Sequence, residues 1–164
     1  MAKKFTNSDP YDADLDAMWA MISDRDYWTQ KYESMGATNL SFDQFNVGDD
    51  ALTVTSQREV PADLPGFAKK IIGETNHVTQ TERWTRSGDG AHCDITIAVK
   101  NVPGGTTGTM DMRSSGAGTV WDADFDIKIS LPLVGGKLEG VMLDETRANF
   151  VTEKTFNDSW LASH

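Results

Sequence analysis

The sequence predicts an α+β fold in which about seven antiparallel strands, interrupted early by two short helices, precede one long C-terminal helix. The main observation is the order of hydrophobic periodicities. Apolar residues recur at helical spacing in residues 10–36, alternate in most of residues 38–131, and return to helical spacing after Leu133. Gly-, Asp- and Ser-rich segments separate the alternating stretches, as turns separate strands. The 164 residues contain neither repeats nor a low-complexity linker, so we expect a single domain over 1–164.

The N-terminal part predicts one strand followed by two helices. A short strand is expected in the segment "AKKFTNS". The next segment begins with acidic residues, which favour a helix N-terminus, and carries helically spaced apolar residues: Leu15, Met18, Trp19 and Ile22. A second short helix is expected to end at Gly36 and to carry three aromatic residues: Tyr27, Trp28 and Tyr32.

The remaining chain predicts six more strands and the C-terminal helix. The strands are the alternating segments "TNLSFDQFNV", "ALTVTSQREV", "NHVTQTERWTR", "AHCDITIAVK", "TTGTMDMRSS" and "TVWDADFDIKISL". A short helix is expected within "PADLPGFAKKIIG", between the second and third of these segments. The last helix is predicted from Leu133 to about Leu161, because apolar residues follow one broad side of that segment.

Turn chemistry predicts the pairing of the central strands. A two-residue turn at Asp89-Gly90 predicts three opposed pairs: Trp84 with Ile95, Glu82 with Ile97, and Gln80 with Val99. A four-residue loop over 102–105 predicts two more: Ile97 with Met110, and Ile95 with Met112. A loop around Gly116 predicts Met112 with Trp121 and Met110 with Ala123.

These three hairpins agree on one inward, apolar face. A slip of one residue would turn all of its side chains outward, so the agreement is informative. The inward set is Trp84, Cys93, Ile95, Ile97, Val99, Met110, Met112, Trp121, Phe125, Ile127 and Ile129. The opposite face is polar and includes Asp122, Asp124 and Asp126, which form either a weak site for a hard cation or, as we prefer, a solvated acidic surface.

The segment "SLPLVGGKLE" predicts the junction between the last strand and the last helix. Pro132 cannot donate to a strand ladder, so the strand should end near Leu131. Gly135 and Gly136 allow a sharp turn and a close approach of the helix to the sheet. A second interpretation, which we weight less, is that backbone amides at the helix N-terminus contact a polar group of a ligand.

Composition excludes several classes of function. A net charge of −10 disfavours nucleic acid and anionic membranes as partners, and no apolar run is long enough for a membrane span. The single cysteine, Cys93, and the lack of a secretory signal favour the cytoplasm. The three histidines are scattered, and neither a metal-ligand spacing nor a phosphate loop is present, so we expect no cofactor and no metal. The oligomeric state is left open.

Four motifs carry a resemblance to a known family: "DRDYW", "ADLP", "TERW" and, most distinctively, "LPLVGGKLE". Together with the element order, they resemble the START/Bet v 1-like (SRPBCC, helix-grip) superfamily, and within it an actinobacterial family catalogued as a domain of unknown function. The resemblance implies a curved antiparallel sheet around the C-terminal helix, with a cavity between them. Members of the superfamily commonly hold lipids, sterols or polyketides there, a minority are enzymes such as aromatic polyketide cyclases, and others are interaction modules.

The register and the resemblance together predict a binding protein for an apolar or amphipathic small molecule. The residues expected to line its cavity are Phe67, Ile71, Gln80, Glu82, Trp84, Ile95, Ile97, Met110, Met112, Trp121, Phe125, Leu138, Val141, Met142 and Glu145. Methionines suit such a surface because they adapt to irregular shapes. The alternative is that these side chains fill the core and leave no cavity. A protein-interaction module is a third interpretation, and it would need a large exposed apolar patch.

Glu82 is the most informative candidate, because the register places a carboxylate on an apolar face. It is either a polar anchor or general base with a raised pKa, or half of a structural ion pair with Arg58. Glu145 has a similar but weaker case. The alternative function is therefore an enzyme of cyclase or hydrolase type that uses these two carboxylates. The segment from Asp63 to Gly73 is either a lid over the cavity or a fixed connector.

Overall fold

The computed structural model describes residues 2–61 and 64–164 and confirms the predicted α+β fold. Within these residues the elements are β1 (Lys3–Tyr11), α1 (Leu15–Ile22), α2 (Arg25–Ser34), β2 (Thr38–Val47), β3 (Ala51–Pro61), α3 (Gly66–Ile72), β4 (Thr75–Ser87), β5 (Gly90–Val99), β6 (Gly104–Ser115), β7 (Gly118–Ile129) and α4 (Gly135–Ser163). The predicted lid segment begins at Asp63, which lies outside the described residues.

The strands form one curved, antiparallel sheet in the order β1-β7-β6-β5-β4-β3-β2. Every neighbouring pair except β1–β7 is consecutive in the chain; short turns join these pairs as hairpins, except that a segment containing α3 joins β3 to β4. The helix α4 packs against β7 and β1, and α1 packs against β6 and β7. No helix in the described part of the chain is long and apolar enough to cross a membrane.

The predicted pairing of β4 with β5 is wrong by two residues. Trp84 pairs with Cys93 instead of Ile95, and Ser87 pairs with Gly90, so the turn residues are Gly88 and Asp89. The physical reason is Gly88, which adopts a φ of 58° that glycine tolerates without steric cost. The corrected pairs are Glu82 with Ile95 and Gln80 with Ile97.

The predicted pairing of β5 with β6 is also displaced, by four residues. Ile97 pairs with Thr106 and Met110 with Cys93, because β6 already begins at Gly104 and the turn is made by earlier residues, including Asn101 at a φ of 68°. The third predicted pairing is confirmed: Met112 pairs with Trp121 and Met110 with Ala123. Both displacements are even, so the inward face keeps the predicted side chains.

The two N-terminal helices cover one end of the inner sheet face. Each begins at an aspartate whose side chain accepts a backbone N–H: Asp14 from Ala17 and Asp24 from Asp26, both at 2.9 Å. The apolar residues of α1 are buried in the main core with aromatic residues of α2: Leu15, Met18, Trp19, Met21, Ile22, Tyr27, Trp28 and Tyr32. This end of the molecule is therefore packed.

The strand-to-helix junction works differently from the predicted pair of turning glycines. The positive φ, 69°, belongs to the fully exposed Leu133, not to a glycine. Gly135 is needed for close approach, because a Cβ there would lie 2.6 Å from the carbonyl oxygen of Ile129. The buried Glu139 also holds the start of α4 against the end of β7, because its Oε2 accepts a hydrogen bond from the backbone N–H of Ile129 at 2.8 Å. The junction therefore clamps α4 to the end of β7.

Candidate ligand-binding cavity

A cavity of about 400 Å³ lies between the inner face of the sheet and α4, and α2 closes one side of it. Of the predicted cavity residues, nine line it: Gln80, Glu82, Ile95, Ile97, Met110, Trp121, Phe125, Met142 and Glu145. The buried residues of α4 lie near its two ends, Gly135–Met142 and Asn157–Trp160. The middle of the helix therefore spans the cavity, and there Phe150 contacts the rings of Phe5 and Phe125 on the sheet.

The other six predicted residues lie elsewhere. Trp84 and Met112 belong to the main core, in one cluster with the buried residues of α1. Leu138 is buried in a second core cluster with Ile127 and Ile129, and three predicted residues pack against that cluster: Phe67, Ile71 and Val141. The cavity is thus bounded at both ends by packed core.

One side of the cavity is apolar. We call it the apolar wall, and its sheet residues come from β5, β6 and β7: Ile95, Ile97, Val99, Met110, Trp121 and Phe125. Phe150 of α4 adds a further aromatic ring, with its centroid 5.6 Å from that of Phe125. Such a surface contributes hydrophobic contact area and little hydrogen bonding.

The adjoining part of the lining, across the β4–β5 pairing, is polar. We call it the polar wall, and it combines β3 and β4 with α2: Arg58, Asn76, Gln80, Glu82, Lys31 and Tyr32. A chain of hydrogen bonds crosses it. Arg58 Nη2 donates to Gln80 Oε1 at 2.9 Å, and Gln80 Nε2 donates to Glu82 Oε2 at 2.6 Å. The predicted direct pairing of Arg58 with Glu82 is therefore replaced by a bridge through Gln80.

Glu82 is buried, with 3% of its surface exposed. Its second oxygen, Oε1, accepts from Trp84 Nε1 at 3.0 Å. Burial raises the pKa of Glu82 above its ordinary value of 4.5, although Lys31 and the hydrogen bonds from Trp84 and Gln80 act in the opposite direction. The residue therefore holds a proton more readily than an exposed glutamate.

Lys31 is a buried cation beside Glu82. Its ammonium lies 3.1 Å from Glu153 Oε1 and 4.3 Å from the centre of the Trp28 ring. Burial acts to lower the pKa of Lys31, but the facing Tyr27, Glu153, Tyr32 and Glu82 raise it above its ordinary value. Lys31 therefore stays charged and offsets the carboxylates around it.

Glu145 lies on α4, opposite Asn76 of β4. Asn76 Nδ2 donates to Glu145 Oε2 at 3.4 Å, which is a long hydrogen bond. Burial raises the pKa of Glu145 above 4.5, and the contact with Asn76 lowers it in part. Both carboxylates singled out from the sequence thus face one cavity.

The family comparison agrees with the geometry. A family model described as a protein of unknown function (DUF2505) matches residues 6–161. The chain belongs to this family. An uncharacterized protein of Mycobacterium tuberculosis is 21% identical over 173 residues, covering 100% of this chain and 99% of that protein. The predicted resemblance to a family catalogued as a domain of unknown function is confirmed.

Solved structures show the same fold. The Zhui aromatase/cyclase from Streptomyces sp. R1128 is similar with a TM-score of 0.63 and 12% identity, covering 99% of this chain and 94% of that one. A START superfamily protein from Mycobacterium smegmatis is similar with a TM-score of 0.55 and 10% identity, covering 98% and 97%. At these identities the similarity is one of fold.

Sequence reasoning missed the contribution of α2 to this DUF2505 cavity. Lys31 and Tyr32 line it, and both lie in a helix for which the sequence predicted aromatic residues but no part in the cavity. A signal was present, because Tyr27, Trp28, Lys31 and Tyr32 share one helical face. A lysine on an apolar helical stripe indicates a buried, partnered charge. Its partner Glu153 is distant in sequence and carries no local signal.

Proposed function

We propose that this DUF2505 protein binds an apolar or amphipathic small molecule, of lipid, sterol or polyketide type, between the sheet and α4. The observation that carries the proposal is the 400 Å³ cavity with one apolar and one polar wall. Ligand sites are typically concave, mostly apolar, and equipped with a few placed polar groups. The START-like fold of the relatives supports the same class of function by analogy.

Native mass spectrometry tests this proposal on protein purified without detergent. We expect an added mass of small-molecule size that organic extraction removes and that returns after incubation with a hydrophobic probe such as N-phenyl-1-naphthylamine. Protein that retains neither a cellular molecule nor the probe would overturn the proposal. Delipidated protein refolded in the absence of probe serves as the control for non-specific adducts.

A second candidate function is an enzyme of cyclase or hydrolase type. The specific observation is that Glu82 and Glu145 face one cavity and that burial raises the pKa of each. Carboxyl groups with raised pKa values serve as acid–base groups near neutral pH. One structural relative is named an aromatase/cyclase, which supports the class of reaction by analogy only.

Substitution separates the two functions. Glu82→Gln keeps the shape of the side chain but removes its acid–base chemistry. If turnover of a polyketide-like substrate is found, the enzyme proposal expects Glu82→Gln to reduce it by about 100-fold or more. Unchanged turnover in Glu82→Gln and in Glu145→Gln would contradict it.

We also propose a cytoplasmic location, supported by the single buried cysteine, Cys93, which makes no disulfide. Burial raises the pKa of the Cys93 thiol, so the thiolate that forms disulfides is scarce in the folded protein. Fractionation of the source cells, with detection of the protein in each fraction, tests this. Recovery mainly in the membrane or the medium would contradict it.

A further inference from the structure

The polar wall contains a hydroxyl donor without an acceptor in the described part of the chain. Tyr32 lines the cavity, only 3% of its surface is exposed, and its hydroxyl makes no hydrogen bond to any described residue. Buried donors in folded proteins are almost always partnered, so this one indicates a partner that the chain does not supply. Burial also raises the pKa of Tyr32, which keeps the hydroxyl protonated as a donor.

Arg58 supplies further donors next to this hydroxyl. Its guanidinium carbon lies 3.9 Å from the centre of the Tyr32 ring, so the two side chains are in contact. One guanidinium nitrogen donates to Gln80, and the contact of the other with Ser56 Oγ is long, at 3.5 Å. A guanidinium carries more N–H donors than these contacts use. The wall therefore carries donors of Arg58 and the hydroxyl of Tyr32 on two side chains that are in contact.

The charges around this cluster favour an uncharged acceptor. The ammonium of Lys31 already pairs with Glu153, and Arg58 is connected to Glu82 through Gln80. Because the two cations of the polar wall already face Glu153 and Glu82, a bound carboxylate or phosphate would add a negative charge that no further cation of this wall offsets, in a site shielded from water. Like charges in such a site repel strongly. A neutral oxygen accepts the same hydrogen bonds without that repulsion.

We propose that Tyr32 and Arg58 together bind an uncharged acceptor oxygen, such as a ketone or ester carbonyl, on an otherwise apolar ligand. This inference rests on the proposed function and names the class of molecule that the cavity selects. The carbonyl lies at the polar wall, and the hydrocarbon part packs against Ile97, Met110 and Phe125 on the apolar wall.

A matched series of naphthalenes tests the proposal: 2-acetylnaphthalene, 2-naphthoate and 2-ethylnaphthalene. They share one ring system and differ in carrying a ketone, a carboxylate or no oxygen. Each is titrated against protein loaded with fluorescent N-phenyl-1-naphthylamine, and the displacement constant is measured. We expect the ketone to bind more tightly than both other compounds.

The decisive variant is Tyr32→Phe, which removes only the hydroxyl. We expect the affinity for the ketone to fall about threefold to tenfold, the affinity for the hydrocarbon to stay unchanged, and the melting temperature not to fall. The matched control is Tyr27→Phe on the same helix, whose hydroxyl donates to Asn157 Oδ1 at 2.7 Å. That change should lower the melting temperature and leave the ratio of ketone to hydrocarbon affinity unchanged.

A second pair of variants keeps the test independent of Tyr32. Arg58→Met should lower the ketone affinity relative to the hydrocarbon, whereas Arg83→Met on the exposed face of β4 should not. A carboxylate that binds more tightly than the ketone would overturn the proposal, as would a ketone preference that survives both Tyr32→Phe and Arg58→Met. Equal binding of all three naphthalenes overturns the inference but leaves the proposed function standing. Failure of the fluorescent probe itself to bind overturns both.

Discussion

Met110 and Met112 are two residues apart on β6 and face the same side of the sheet, yet they have different surroundings. Met112 is packed in the main core, together with Trp84 and the buried residues of α1. Met110 belongs to the same core cluster but also lines the cavity. The inner face of the sheet is therefore one continuous apolar surface of which one part is filled and the other is open. The helix that covers each part of this surface determines whether that part is packed core or cavity lining.

The covering helices differ in composition. The helix α1 presents five buried residues to the core: Leu15, Met18, Trp19, Met21 and Ile22. The middle of α4 instead presents Glu145, Thr146, Asn149 and Glu153 to the cavity, with Phe150 as its aromatic contribution. Polar side chains of this kind cannot fill an apolar space at close packing. The difference predicts distinct responses to the same substitution in the two regions.

The largest effect is expected for Ile127→Ala in the packed region. Ile127 is fully buried in the second core cluster, so the truncation creates a cavity and should lower the free energy of unfolding by about 2–5 kcal/mol. Ile97→Ala, on the same sheet face but next to existing open space, should cost about 1 kcal/mol. Urea unfolding of both variants measures the difference. Equal costs would indicate that the region around Ile97 is packed.

A somewhat smaller effect is expected when the polar wall is broken. Glu82→Ala leaves the donors Gln80 Nε2 and Trp84 Nε1 without their acceptor and should lower the free energy of unfolding by about 2–3 kcal/mol. Asp94→Ala, an exposed carboxylate on the outer face of β5, is the control and should change stability by less than about 0.5 kcal/mol. A Glu82→Ala variant as stable as the control would contradict a partnered, buried carboxylate.

The smallest effect is a pH dependence due to Glu82. The folded protein binds its proton more tightly than the unfolded chain, so this group's contribution to stability is complete below pH 4.5 and is lost as the pH rises through the raised pKa. Lys31, Arg58 and Glu153 face the same group, so the informative quantity is the difference between wild type and Glu82→Gln. Above pH 4.5 the free energy of unfolding of the wild type should fall relative to that of Glu82→Gln. Urea unfolding across a pH series measures this difference. A difference that does not vary with pH would contradict the raised pKa.

The side of the sheet that each residue faces was predictable from the sequence. Its cross-strand partner and the helix that covers it were not. Period-two alternation assigned Ile95, Ile97 and Met110 to the inner face, and even displacements of the hairpins preserved that assignment. The exact pairing depended on whether Gly88 or Gly90 takes part in the turn, which local turn preferences do not decide. The junction motif was correctly placed, but the clamp by Glu139 depends on a contact with Ile129 that forms only in the folded chain.

The boundary of the cavity was less predictable, for a physical reason. Trp84 and Met112 were expected to line it because they share the inward face with Met110. Their burial depends on tertiary packing within the main core, which has no local sequence signal. Lys31 and Glu153 show the same limit, since the ion pair joins α2 to α4 across the fold.

The most direct measurement of the central claim is the dissociation constant of N-phenyl-1-naphthylamine for two tryptophan variants of β5. Ile97→Trp places an indole ring inside the cavity, whereas Thr96→Trp places the same ring on the exposed face of the same strand. If the space between the sheet and α4 is the binding site, Ile97→Trp should weaken probe binding by at least about tenfold, and Thr96→Trp should bind as the wild type does. Probe binding by a folded Ile97→Trp variant at the wild-type affinity would contradict the account.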